Sequence, residues 1–321
     1  MIITGVGVFI PVAVLIVAPI ALSVGKQSNW SKVALLVALS GGGKAGNVIS
    51  PNPNTIAAAN GFHEQLSTVM MGAFIPAILG LVVAVLLAHL IRNKGDKVQI
   101  SDLEDATDRQ LMPIGRALIA PVLAILLLMM NPIANVLGIS YLAKLNIDAM
   151  YILPFASVVG AIFMGHAKKI TFYASSGIKR VMDTVLILIG AGALAGLISN
   201  SDLAVQVVNL IQSVGISGKF LAPISGALMS LAVASTSTAV IVATQSFGDA
   251  IVQTGLSGLA AAVMFHTGAT MLDAMPQGNY FHITGQAMKM SIKERMKVMP
   301  YEAIVGGTMT VVATILYGFV W

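Results

Sequence analysis

Two charged residues, Lys44 and Asp273, stand inside long apolar stretches of this sequence, each within a run of small polar residues. Ser40 to Asn54 reads Ser-Gly-Gly-Gly-Lys-Ala-Gly-Asn-Val-Ile-Ser-Pro-Asn-Pro-Asn, and Gly268 to Asn279 reads Gly-Ala-Thr-Met-Leu-Asp-Ala-Met-Pro-Gln-Gly-Asn. Gly41, Gly42, Gly43 and Gly46 would let backbone N–H groups approach an anion, or let helices pack closely. Pro51 and Pro53 lack amide donors, so a helix stops there and carbonyls are freed for a polyol or a cation. Asn47, Ser50, Asn52, Asn54 and Thr55 supply neutral donors and acceptors suited to hydroxyls. Lys44 has two readings, a neutraliser of a substrate carboxylate or a salt-paired structural lysine. Asp273, the one carboxyl deep in an apolar run, is either a proton carrier or the ion-pair partner of Lys44. His266 lies seven residues upstream, two helical turns, where it would share a face with Asp273 in a proton relay. A third polar interruption, Ala234-Ser235-Thr236-Ser237-Thr238, places four hydroxyls in another apolar run. These either contact substrate or ion, or bond back to the preceding helical turn. Asn279 flanks the Asp273 break as a further ligand candidate.

Other chemistries fit less well. Gly41-x-Gly43-x-x-Gly46 has dinucleotide-binding spacing but follows no strand–helix unit. A P-loop fails because Ala38 is not Gly and Ala45 is neither Ser nor Thr, and His63-Glu64 lacks the second His of a zinc motif. There is no Cys, so thiolate chemistry and Cys-based metal sites are excluded. No metal or other cofactor is expected. An intramembrane enzyme is disfavoured for want of a paired His, Asp and Glu set.

These residues must be held by membrane-spanning helices. Of 321 residues 57% are hydrophobic and 10% charged, where soluble domains carry about 25% charged residues. The mean hydropathy is +0.89. Uncharged runs at 1–25, 65–91, 117–143, 149–167, 184–201, 220–248, 250–272 and 303–321 are candidate spans, since crossing takes about 20 apolar residues. The only long polar stretch, 92–116, reads as a solvated connector in which Ser101-Asp102-Leu103-Glu104 would form a capping box. The net charge of +5 resides in basic clusters around Lys26, Arg92, Lys168 and Lys289, which the positive-inside rule puts in the cytoplasm. No basic face interleaves with aromatics, so nucleic acid is not an expected partner; the lipid bilayer is.

The run 220–248 is too long for one helix and is interrupted at 234–238, which predicts a re-entrant hairpin. The Asp273 break about 40 residues later predicts a broken helix. The first half repeats the pair more weakly, with a hairpin tip near Phe9-Ile10-Pro11 and the break at Ser40 to Asn54. The expected architecture is all-α and polytopic, with two inverted repeats, each holding a re-entrant hairpin and a broken helix. Residues 1–91 form the later part of the first repeat, 92–116 the cytoplasmic connector and 117–321 the second repeat. Equal repeats would place about 113 further residues ahead of Met1, so the first repeat is expected to be incomplete.

The stretch Leu39 to Ala59, the central loop, the Ser-Thr hairpin at 235–238 and the Asp273 break together resemble the gluconate permease (gluconate:proton symporter) family of the ion-transporter superfamily. Many members carry a His-containing Pro-rich break where this chain has Ser50-Pro51-Asn52-Pro53-Asn54, which favours a small hydroxy-carboxylate over gluconate itself. The resemblance implies a multi-pass permease of the bacterial inner membrane and a homodimer with a scaffold and a mobile transport unit. It also implies symport of a small organic anion with H+ by alternating access. Substrate-binding residues would be Ser40, Gly41, Gly42, Gly43, Lys44, Asn47, Ser50, Asn52, Asn54, Thr55, Ser235, Thr236, Ser237, Thr238 and Asn279. Asp273 and His266 would couple the proton. The alternatives are a Na+-coupled carboxylate carrier and an N-terminally truncated, inactive permease fragment.

Overall fold

A computed structural model describes residues 1–103, 113–136, 139, 147, 149–199 and 218–320. The described chain is all-α, with an isolated bridge between Ser31 and Lys97 in place of any strand. Helices α1 (Ile2–Gly5) and α2 (Ile10–Ser28) lead to α3 (Lys32–Val48). Ser31 starts α3 by accepting the Ala34 amide, the role for which Ser is favoured at an N-cap. The helix ends at Ser50-Pro51-Asn52-Pro53, where Pro51 and Pro53 cannot supply amide donors. It resumes as α4 (Pro53–Gly61), bent 40° from α3. Asn52 caps α4 through the amides of Asn54 (2.8 Å) and Thr55 (3.3 Å), and Pro53 sits at the first helical position, where its missing N–H costs nothing.

The run 65–91, expected as one span, is two helices, α5 (Leu66–Gly72) and α6 (Phe74–Leu90), bent by 45°. Pro76 has no N–H for the carbonyl four residues back, that of Gly72. The Tyr317 hydroxyl occupies it at 2.9 Å, and the bend follows.

After the connector come α7 (Ile114–Ala117), α8 (Ile119–Val136), α9 (Ala149–Phe163) and the long α10 (Ile170–Ser199). The polar stretch before 184 is thus the first half of a helix rather than a loop. It contains no Pro to interrupt the helix. Helices α11 (Leu221–Val233) and α12 (Thr236–Val252) pack on each other across a turn at Ala234, whose φ of 49° reverses the chain. The second broken helix follows as α13 (Gly258–Ala269) and α14 (Asn279–Ala287), and Ser257 caps α13 just as Ser31 caps α3. Helices α15 (Ile292–Met296) and α16 (Met299–Ile315) end the chain.

Helices α3 and α13 are buried almost all round, as membrane-interior or deep-core helices are. Both carry a break. Helix α3 packs against α6, α2, α1 and α16, while α13 packs against α11, α16, α4 and α12. By contrast α2 and α6 present long rows of exposed Leu, Ile and Val, which in a bilayer face lipid. Ile10–Ser28 and Ile292–Val320 are long and apolar enough to cross a membrane, as are the two bent pairs taken together. The chain is an all-α polytopic membrane protein.

The connector is less solvated than its composition suggests. Asp102 is buried and pairs with Lys32 at 2.8 Å, while Lys32 also donates to the Lys289 carbonyl at 2.9 Å. The Asp96 amide donates to Glu294 at 2.8 Å. Asp102 accepts the amide of Gln99 (2.7 Å) in a capping box at Gln99–Asp102; the box expected at Ser101 to Glu104 extends outside the described residues. Basic residues from three of the four clusters therefore gather at one end of the bundle.

Candidate functional site

The two breaks and the hairpin turn meet. Lys44, on the last turns of α3, is fully buried and reaches Asp273 Oδ1 at 2.5 Å. It also donates to the Thr270 carbonyl, one of those left open where α13 ends. The other Asp273 oxygen accepts from Thr236 at the hairpin tip, at 2.6 Å. The next hydroxyl, Ser237, reaches Asn54 Oδ1 at 2.5 Å, and Asn54 Nδ2 donates to Asn47 Oδ1 at 3.0 Å. Ser235 accepts the Thr238 amide and starts α12. The hydroxyls of Thr236 and Ser237 thus bridge to other elements instead of bonding back along their own helix. Gly278 lies so close to Ala234 that an added Cβ would collide with it, which is why a residue without a side chain stands opposite the tip.

Between these elements lies a cavity of about 360 Å³ whose walls include Phe9, Ile10, Asn47, Asn54, Ala234 to Thr238, Asp273 and Gln277 to Tyr280. Its electrostatics follow from the helix ends. Four helices begin on the cavity wall: α2 at Ile10, α4 beside Asn54, α12 at Ser235–Thr236 and α14 at Gly278–Asn279. A helix N-terminus carries roughly half a positive charge; at α4 and α12 some of the first amides are already taken by Asn52 and Ser235, so these ends act on the cavity through their field. Two helices, α3 near Asn47 and α11 near Val233, end there. With Lys44 and Asp273 cancelling, the excess of N-termini leaves a site suited to an anion.

The structure separates the expected site residues into groups. Asn47, Asn54, Ser235, Thr236, Ser237, Thr238, Asp273 and Asn279 line the cavity, and Lys44 lies behind Asp273. Ser50, Asn52 and Thr55 do not. They are buried within the first break, where Ser50, Asn52 and Thr55 side chains donate to the Asn47 carbonyl at 3.0, 2.5 and 3.2 Å. That freed carbonyl is therefore occupied by its own break and holds neither polyol nor cation. Gly41, Gly42 and Gly43 sit inside the regular part of α3, so their N–H groups are spent on helical bonds and form no anion nest. An added Cβ on Gly41 would meet Ala84 of α6, and one on Gly43 would meet Ile10 of α2; close helix packing is their role. His266 is buried, and neither ring nitrogen finds a partner among the described residues. The structure does not join it to Asp273. Among the described residues no group of His, Asp and Glu could hold a metal ion.

Ser40 belongs to a second buried network that the sequence does not announce. Glu302, which falls near a span end and reads there as interfacial, is 1% exposed. It forms a two-pronged ion pair with Arg295 at 2.7 and 3.1 Å, the strong geometry for a guanidinium. Ser40 donates to Glu302 at 2.6 Å and also bonds the Tyr280 hydroxyl. Arg295 stacks on Phe281 at 4.8 Å and donates to the Thr284 hydroxyl at 3.2 Å. Because Ser40 and Lys44 are four residues apart, they share a face of α3. The two buried ion pairs are stacked along that face, and Tyr280 stands between the lower one and the cavity. The polar cavity residues Gln277 and Tyr280 were not expected from the sequence; the signal for Tyr280 is its place beside Asn279.

Paired buried charges and interrupted helices around a polar cavity are features of membrane transport proteins. A family profile described as GntP family permease matches residues 1–320, and the chain belongs to that family. An uncharacterized transporter of Haemophilus influenzae is 44% identical over 318 residues, covering 99% of this chain and 74% of that protein.

Proposed function

We propose that the chain carries a small hydroxy-carboxylate, gluconate or a close relative, across the bacterial inner membrane in symport with a proton. The observation that carries this reading is the meeting of four helix N-termini on a cavity closed at one side by the Lys44–Asp273 pair. The N-termini attract the carboxylate, and the Thr238 hydroxyl and the Asn279 amide on the cavity wall suit the polyol portion. Protonating Asp273 removes the charge that Lys44 neutralises, so Lys44 is released toward the anion. Proton and anion then stabilise one another in the site, which is the condition for symport. Thr236 loses its ionised partner in the same step, so the hairpin tip responds to site occupancy.

A proton is favoured over Na+ because the freed carbonyls of Asn47 and Thr270 are already taken by side chains of the chain itself. The matching order of long helix, Ser-capped helix, break and short helix in 10–61 and 236–287 supports two repeats about this site. The gathering of basic residues around Lys32 and Lys289 supports a cytoplasmic face at that end.

Binding is testable in detergent. A ligand at 100 times its dissociation constant stabilises by about 2.7 kcal/mol, so gluconate, glycerate or hydroxybutyrate is expected to raise the melting temperature. Sorbitol, which matches gluconate in hydroxyls but has no carboxylate, is expected to leave it unchanged. A flat response to every hydroxy-carboxylate, or an equal response to sorbitol, contradicts the proposal.

A further inference from the structure

The buried amide of Asn47 has an unused donor. Its Oδ1 accepts from Asn54, but Nδ2 has no hydrogen-bond partner among the described residues. Asn47 is 1% exposed and lies on the cavity wall. A buried N–H left unpaired is costly, and native structures keep few of them without a reason. The direction of the amide is set from outside. The Ser237 hydroxyl donates to Asn54 Oδ1, turning Asn54 Nδ2 toward Asn47 Oδ1, and that leaves Asn47 with N–H groups alone to offer. The three residues come from α12, α4 and α3, so the chain of bonds links the hairpin to both sides of the first break.

Building on the proposed anion carrier, we infer that Asn47 reads a carboxylate oxygen of the transported anion through its amide N–H, and that Ser237 and Asn54 are positioning residues that hold this polarity. The relay adds a reason for preferring a carboxylate over a neutral polyol: the last member offers donors only, and donation to a charged acceptor is the stronger bond. It also ties anion reading to the hairpin tip. Ser237 is adjacent to Thr236, which holds Asp273, so the tip residues contact both the anion-reading and the proton-carrying groups.

Equilibrium binding of labelled gluconate to the purified carrier tests this. Asn47→Ala is expected to weaken binding about 10- to 100-fold, the range for a hydrogen bond to a charged group. Asn47→Asp should bind at least as poorly, because it sets a carboxylate against the anion. Ser237→Ala and Asn54→Ala should each weaken binding about tenfold, yet add less than about twofold in the Asn47→Ala background. Ser237→Thr, which keeps the hydroxyl, should bind as wild type. Additive losses in the double variants would reduce Ser237 and Asn54 to structural roles and overturn the relay. Wild-type binding by Asn47→Asp would show the opposite polarity and overturn it too. Should wild type bind neither gluconate nor the smaller hydroxy-acids, the proposed function itself falls, and the inference with it.

Discussion

A carrier with Lys44 replaced by methionine is expected to lose both anion uptake and much of its stability. Lys44 is fully buried and neutralises Asp273, whose other oxygen accepts from the Thr236 hydroxyl. Removing one partner of a buried pair leaves an uncompensated charge and costs about 3–5 kcal/mol, a large share of the stability of a typical domain. Removing both costs far less, because two neutral side chains of similar size leave no charge behind. The melting temperature of Lys44→Met should therefore fall steeply, while Lys44→Met combined with Asp273→Asn should recover most of it. Transport should stay absent in both, because the charge that meets the anion is gone. Equal melting temperatures for the single and double variants would show that the pair is not held as described, and uptake by the double variant would remove Lys44 from the mechanism.

The second large effect is expected at Glu302. Its carboxylate accepts from Arg295 on both oxygens and from Ser40 and Tyr280 on one. Glu302→Ala strands the Arg295 guanidinium among Phe281, Tyr280 and Thr284, again at a cost of about 3–5 kcal/mol. The damage should extend to the cavity, because Tyr280 loses the group that fixes its hydroxyl. Glu302→Gln should be milder, since an amide oxygen still accepts from Ser40 and Tyr280. Melting in detergent, with binding measured on the fraction that remains folded, checks both points. A Glu302→Ala variant as stable as wild type would contradict the network.

Where the sequence is readable, the reason is chemical. Pro51, Pro53 and the Asn52 cap specify the first break locally, and Ala234 to Thr238 mark the hairpin because polar residues in an apolar run have few other uses. The pairing of Lys44 with Asp273 was one of two readings, since lone opposite charges buried in one membrane domain have strong cause to meet. The glycines misled for a physical reason. A backbone nest and a close helix contact both need an absent side chain, and only the continuity of α3 past Gly46 separates them. Glu302 was obscured because proximity to a span end resembles proximity to water; its burial depends on α15 folding Arg295 back over it. Likewise the convergence of helix N-termini depends on how four separated segments come together, which no local motif records.

Asp273 is proposed to carry the coupling proton in a site built for an anion. The most direct test compares Asp273→Asn with wild type in membrane vesicles, using labelled gluconate and an imposed pH gradient, alongside exchange of labelled for unlabelled substrate with no gradient. The variant is expected to lose gradient-driven accumulation while exchange persists, because the permanently neutral side chain mimics the protonated, anion-binding state. Accumulation by Asp273→Asn equal to that of wild type would contradict it.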